Sequence, residues 1–208
     1  MRGMTLLRDD AAGELLATAA RLVVEEGLEY GPAKQRAVRQ LGLARRVAMP
    51  DNWALEAAVR EHIAIFCPET QARELAALRE VALRWMDRLD EFRPLVGGAV
   101  WHGTATAHSD IYLPLFCDDT KVVEWRLLDR RVDYHPGSMT GLRGEAVEVL
   151  TLRDRHPALG QPVLVHLMVH GPDDDRGALR PDAQGRSPRG DAAALRARMA
   201  EAAAEGGA

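Results

Sequence analysis

The sequence predicts an α+β protein in which an N-terminal helical region precedes a small mixed β-sheet domain with flanking helices. Apolar residues recur at helical spacing up to residue 94, and from Gly97 onward the apolar period shortens to two. A third observation is the tail after residue 172, where Pro, Gly, Asp and Arg dominate and no period survives. The organisation these imply is a helical region over 1–94, an α+β domain over 95–172, and a loop with a terminal helix over 173–208.

In "AAGELLATAARLVVEEG", Leu15, Leu16, Ala19, Leu22 and Val23 share one stripe, and Gly27 closes the helix. "GPAKQRAVRQLG" opens with Pro32 in a first turn, where a missing N–H costs nothing, and stops at Gly42. Asp51 or Asn52 caps a third helix reaching about Phe66. Thr70 caps a fourth, with Leu75, Leu78, Val81, Trp85 and Leu89 on one face, and it ends before Pro94. Lys34, Arg36 and Arg39 lie on the second helix and Arg45 and Arg46 follow it. A DNA-reading helix pair distributes its charge this way, and so does any solvated helix.

"DIYLPLF" alternates, with Ile111, Leu113 and Leu115 on one face. "DDTKVVEWRLLDRR" reads as a helix, because Asp119 or Thr120 caps it and arginines crowd its last turn. "GEAVEVLTL" and "PVLVHLMVH" are β-branched and alternating, joined by "RDRHPALGQ" as a hairpin loop. "AAALRARMAEAAAEGGA" is a terminal helix that frays at its end.

The 208 residues suffice for one ordinary core, or a small core with a helical appendage. With 47% apolar and 28% charged residues the chain has a globular composition, and its formal charge of −4 excludes whole-protein attraction to nucleic acid or an anionic membrane. Lys34 and Lys121 are the only lysines among the 27 basic residues. That arginine bias fits phosphate recognition by guanidinium forks, and it fits a GC-rich genome and a solvated surface better. Cys67 and Cys117 stand alone, as thiols do in a reducing cytoplasm. No apolar run has the length to span a bilayer, so the expected location is cytoplasmic, with no membrane partner.

Chemistry concentrates in "LVGGAVWHGTATAHSDIYLPLF", residues 95–116. A glycine turn lets backbone N–H groups approach a phosphate closely. On a strand, residues 110 and 112 project the same way, so acids at both would hold magnesium against a triphosphate. This stretch resembles the nucleotidyltransferase superfamily of DNA polymerase beta, especially its small bacterial members. Gly98 stands at the family's glycine, Gly103-Thr104-Ala105 at Gly-Thr-Ala, and Ser109-Asp110-Ile111 at Ser-Asp-Ile.

The resemblance implies Gly98, Gly103, Thr104, Ser109 and Tyr112 as nucleotide-contacting residues. It implies Asp110 and Glu148 as catalytic, metal-holding acids, Mg2+ as the ion, and a nucleoside triphosphate as ligand. Two departures mark the motif as degenerate. Ala99 replaces a phosphate-touching serine, and Tyr112 replaces the second carboxylate, a neutral phenol being a poor magnesium ligand. The resemblance therefore implies nucleotide binding with weak or lost transfer, the acceptor being nucleic acid or protein.

A chain-long likeness, from "EEGLEYGPAKQRAVRQLG" to "CDDTKVVEWRLLDRRVDY", is to short proteobacterial nucleotidyltransferase-like proteins, some called UDP-N-acetylmuramate–alanine ligases. The sequence has no G-x-x-x-x-G-K-[ST] loop for an ATP-dependent ligase.

Three other constellations stand beside it in the sequence. His166 and His170 share a strand face but lie about 13 Å apart by strand rise, too far for one ion. Cys117 is flanked by Asp118 and Asp119, which disfavour a thiolate. Arg176, Arg180, Arg186 and Arg189 in the tail are either a phosphate clamp or a solvated loop. The alternative to a transferase-like protein is a non-catalytic one that binds a protein or nucleic acid through its helical half and this tail.

Overall fold

The computed structural model describes residues 2–43, 47–182 and 185–206, with side chains from 11 to 204. Arg45 and Arg46 lie outside the described residues. The chain divides into two compact units, Met1–Ala72 with Thr104–Ser109, and Arg73–Gly103 with Asp110–Ala208. Most of the fourth helix, from Arg73 onward, falls in the second unit.

The helical unit contains α1 (Arg2–Glu26), α2 (Tyr30–Gln40) and α3 (Asn52–Phe66). Leu15, Ala19, Leu22 and Val23 on α1 are at most 4% exposed and pack with Ala33, Ala37, Leu55 and Val59. Asp51 caps α3 by accepting from the Ala54 N–H at 2.7 Å. Residues 104–109 pack within this unit: the Thr106 hydroxyl donates to Val24 O at 2.9 Å, and Gln71 Nε2 donates to Ala105 O at 3.0 Å. Gly27 has φ +67, and a Cβ there would lie 1.9 Å from the His108 carbonyl oxygen, so only glycine fits.

The sheet unit takes in α4 (Gln71–Arg88) from Arg73 onward, then β1 (Val96–Gly97), α5 (Gly98–His102), β2 (Ile111–Phe116) and α6 (Thr120–Asp129). It continues with β3 (Tyr134–Thr140), β4 (Ala146–Asp154), β5 (Val163–His170), β6 (Arg189–Gly190) and α7 (Ala192–Gly206). Four strands form one mixed sheet in the order β2-β5-β4-β3, with β2 parallel to β5 and the other pairs antiparallel. The expected α+β class holds. α4 is tied to the end of β4, where the Asp154 carboxylate accepts from Arg84 Nη2 at 2.8 Å and Trp85 Nε1 at 2.6 Å.

One face of the sheet is core. Ile111, Leu113, Leu115, Val165 and Leu167 are fully buried, and Leu150 and Leu152 are 1% exposed. α6 begins where Asp119 accepts from the Lys121 N–H at 2.9 Å. β3, "YHPGSMT", was not expected as a strand. It is an exposed edge strand, where Pro136 and Gly137 are tolerated and no core imposes alternation.

The tail is also more ordered than a loop. β6 pairs antiparallel with β1, Val96 opposite Gly190 and Gly97 opposite Arg189. Trp101 Nε1 donates to Ser187 O at 2.7 Å, and a Cβ on Gly190 would sit 2.2 Å from the Trp101 ring. Of the four tail arginines, Arg176 pairs with Asp173 at 3.0 Å, and Arg189 donates to Ala178 O at 3.3 Å. No described helix is long and apolar enough to cross a membrane.

Candidate functional site

β2 and β5 run in parallel register, Ile111 opposite Val165, Tyr112 opposite His166 and Phe116 opposite His170. Strand alternation puts Asp110, Tyr112 and Phe116 on the face away from the Ile111 core, together with His166, Met168 and His170. β4 continues the row, with Thr151 opposite His166. Asp110 immediately precedes β2, and its side chain is 31% exposed.

His166, 6% exposed, is the hub of this face. Its Nε2 lies 3.3 Å from Asp110 Oδ2, and its Nδ1 lies 2.9 Å from the Thr151 hydroxyl oxygen. An ionised carboxylate only accepts, so Nε2 carries the proton shared with Asp110. In the neutral ring Nδ1 then accepts from Thr151. Tyr112 stacks on the imidazole at 4.8 Å between centroids, inclined by 22°. Its side chain, like that of Met139, packs against the cluster of Val147, Val149 and Met168. Sequence spacing missed His166 as the partner of Asp110. The available signal was the near-continuous apolar run of "PVLVHLMVH", which marks a central strand, so β5 rather than β4 flanks β2.

Glu148 does not join Asp110. β5 separates β4 from β2, and Glu148 sits opposite Val169, which sits opposite Leu115. Glu148 therefore belongs to the opposite face, five rows along β2 from Asp110. Strand rise and spacing put the two Cα atoms roughly 19 Å apart. Its carboxylate instead accepts from the Thr120 hydroxyl at the start of α6. The expected convergence of these two acids is overturned by register.

The motif's other residues part company too. Gly98 begins the five-residue α5 with φ +61, and Gly103 ends it with φ +81. Both lie in the sheet unit, as do Asp110 and Tyr112. Thr104 and Ser109 belong to the helical unit, where Thr104 is 1% exposed and the Ser109 hydroxyl oxygen accepts from the Thr106 N–H at 3.0 Å.

At the far end of β5, His170 is 2% exposed and neither ring nitrogen has a hydrogen-bond partner among the described residues. Burial holds the imidazole below its ordinary range against the pull of Glu145, 3.6 Å away, and of Asp174, while Arg189 pushes it further down. Burial likewise raises the Cys117 thiol, with Asp118 and Asp119 adding to it and the hydrogen bond to Asp119 O opposing. Cys117 is thus no activated nucleophile.

No protein-family model matches the chain, and no curated protein matches it in sequence. Among solved structures, the Cid1 poly(U) polymerase with MgGTP bound is similar to it at 14% identity and a TM-score of 0.33, over 53% of this chain and 38% of that one. A histidine-to-asparagine mutant of that polymerase, bound to MgATP, gives 17% identity and a TM-score of 0.30, over 49% and 33% respectively. The chain thus spans about a third of the polymerase's length.

Proposed function

We propose that this chain is a nucleotidyltransferase-like protein that binds a nucleotide and has weak or lost transfer activity. The observation that supports it best is the company Asp110 keeps. In a transferring site its neighbours would be carboxylates, whereas here they are Tyr112 and His166.

The residues present do not fit a pair of magnesium ions. Asp110 is one carboxylate already sharing a proton with His166, Tyr112 is a neutral phenol, and Glu148 is on the other face. What these groups do offer is an accessible acceptor beside an aromatic plate. The Asp110 carboxylate accepts from a sugar hydroxyl, and the Tyr112 ring supplies stacking surface for a base.

The test is thermal unfolding of the full chain with each nucleoside triphosphate and magnesium. A ligand at a hundred times its dissociation constant adds about 2.7 kcal/mol. Stabilisation by at least one nucleotide, lost in Asp110→Ala, is the expected result. An equal response in that variant places the nucleotide elsewhere, and no response to any nucleotide contradicts the reading.

A further inference from the structure

α6 is apolar on two opposite sides. Val123 and Leu127 are fully buried, whereas Val122, Trp125 and Leu128 are 44%, 61% and 58% exposed. The exposed three recur every third residue and so stand in one row. At about 100° per residue, Trp125 points directly away from the mean direction of Val123 and Leu127. A tryptophan is rarely left this open, and a helix apolar all round is normally buried all round. Among the described residues nothing buries the outer row.

Two charges border that row, and each has the wrong sign for its own helix. Lys121 lies in the first turn of α6 and Asp129 is its last residue. The helix dipole favours acids at the N-terminus and bases at the C-terminus, so both placements disfavour the helix on its own. Both side chains are exposed, and neither enters an ion pair among the described residues. The other charges near the row are engaged: Arg126 is held by Glu91, and Glu124 lies beside the Tyr134 hydroxyl.

We propose that the outer row of α6 is the contact surface for a second copy of this chain, the two helices packing antiparallel about a two-fold axis at Trp125. In such an interface a residue and its counterpart exchange roles across the axis. The two Trp125 rings then meet at the centre, and Val122 lies level with Leu128 of the second copy. Lys121 lies level with the second copy's Asp129, and Asp129 with its Lys121. A face with a base at one end and an acid at the other complements itself only when one copy is reversed. The reversal also sets each misplaced charge against its opposite and each helix end against the opposite dipole end. The surface uses none of the residues around Asp110 and does not rest on the nucleotide reading.

The experiment is sedimentation equilibrium of the full chain over a concentration series reaching about 100 μM, which detects dissociation constants in the micromolar range. Trp125→Glu, Lys121→Asp, Asp129→Lys and the double reversal Lys121→Asp with Asp129→Lys accompany the wild type, and circular dichroism follows the fold of each. The wild type is expected to dimerise. Trp125→Glu is expected to stay monomeric throughout, because two carboxylates would be buried together on the axis. Each single reversal puts like charges level at two symmetric places and is expected to weaken dimerisation about tenfold. The double reversal is expected to restore the wild-type constant. Lys121→Asp suits the N-terminus of its own helix, so its weaker pairing cannot arise from a weaker fold. Should Trp125→Glu fail to fold, the charge reversals decide. A wild type that stays monomeric overturns the proposal and leaves the row to a different partner protein. A dimer unchanged in Trp125→Glu, or a double reversal no better than the singles, overturns it equally.

Discussion

Replacing His166 by leucine removes the hub of the Asp110 face while keeping most of its volume, so the change isolates hydrogen bonding from cavity formation. The wild-type ring serves Asp110 at 3.3 Å and Thr151 at 2.9 Å. A hydrogen bond to a charged group contributes about 1.5–3 kcal/mol, and the lower figure applies because the Asp110 side chain is 31% exposed and water can replace the donor. The neutral bond to Thr151 contributes about 1 kcal/mol. Leucine recovers a few tenths through apolar burial, which leaves a loss of about 2 kcal/mol. For a chain of this length each kilocalorie moves the melting temperature by about 2–4 °C, so the drop should be about 4–8 °C. Circular dichroism melts of His166→Leu, Thr151→Val and the double variant make the assay. The double variant should lose less than the sum of the singles, since Thr151 is no longer left without its acceptor. A leucine variant as stable as the wild type, or strict additivity, would refute the hydrogen-bonded chain.

Gly190→Ala places a methyl group 2.2 Å from the Trp101 ring, so urea unfolding should show a loss of about 1–3 kcal/mol; an unchanged midpoint would mean that β6 does not lie against Trp101. Glu148→Gln should leave any nucleotide-dependent stabilisation intact and cost under about 1 kcal/mol, because Glu148 is exposed and, among the described residues, holds only Thr120. Loss of nucleotide binding in that variant would restore Glu148 to the Asp110 site. Burial raises the Asp154 carboxyl, but hydrogen bonds from Arg84, the Arg155 N–H and Trp85 outweigh it and hold the group below its usual value. A depressed folded value means that stability is present above the unfolded value near 4 and is lost as pH falls through the folded one. Asp154→Asn should therefore flatten the acid limb of a stability–pH curve, and identical limbs would contradict that pairing.

How much of this was legible in the sequence depends on how local the determinant is. The Asp51 cap, the Asp119 start of α6 and the β4–β5 hairpin follow from neighbouring residues, and the structure has them. β3 escaped because an exposed edge strand imposes no alternation and accommodates Pro136. β1 and β6 escaped because two-residue strands have no period, and their pairing joins residues more than ninety positions apart. At the site, Asp110 and Tyr112 share a face as strand alternation requires. The partner strand was misjudged, because inserting β5 between β2 and β4 is a long-range choice that "AVEVL" alone does not encode. Glu148 then falls on the wrong face by the parity of register, and His166 takes the place beside Asp110.

The central claim is that Asp110, held by His166 and lacking a second acid, sits in a site that binds a nucleotide without transferring it efficiently. The most direct measurement incubates the wild type and Asp110→Ala with each labelled nucleoside triphosphate, magnesium or manganese, and bulk cellular RNA and protein as acceptors. The account predicts no label transfer by the wild type above the level of Asp110→Ala. Efficient transfer that disappears in Asp110→Ala would contradict it.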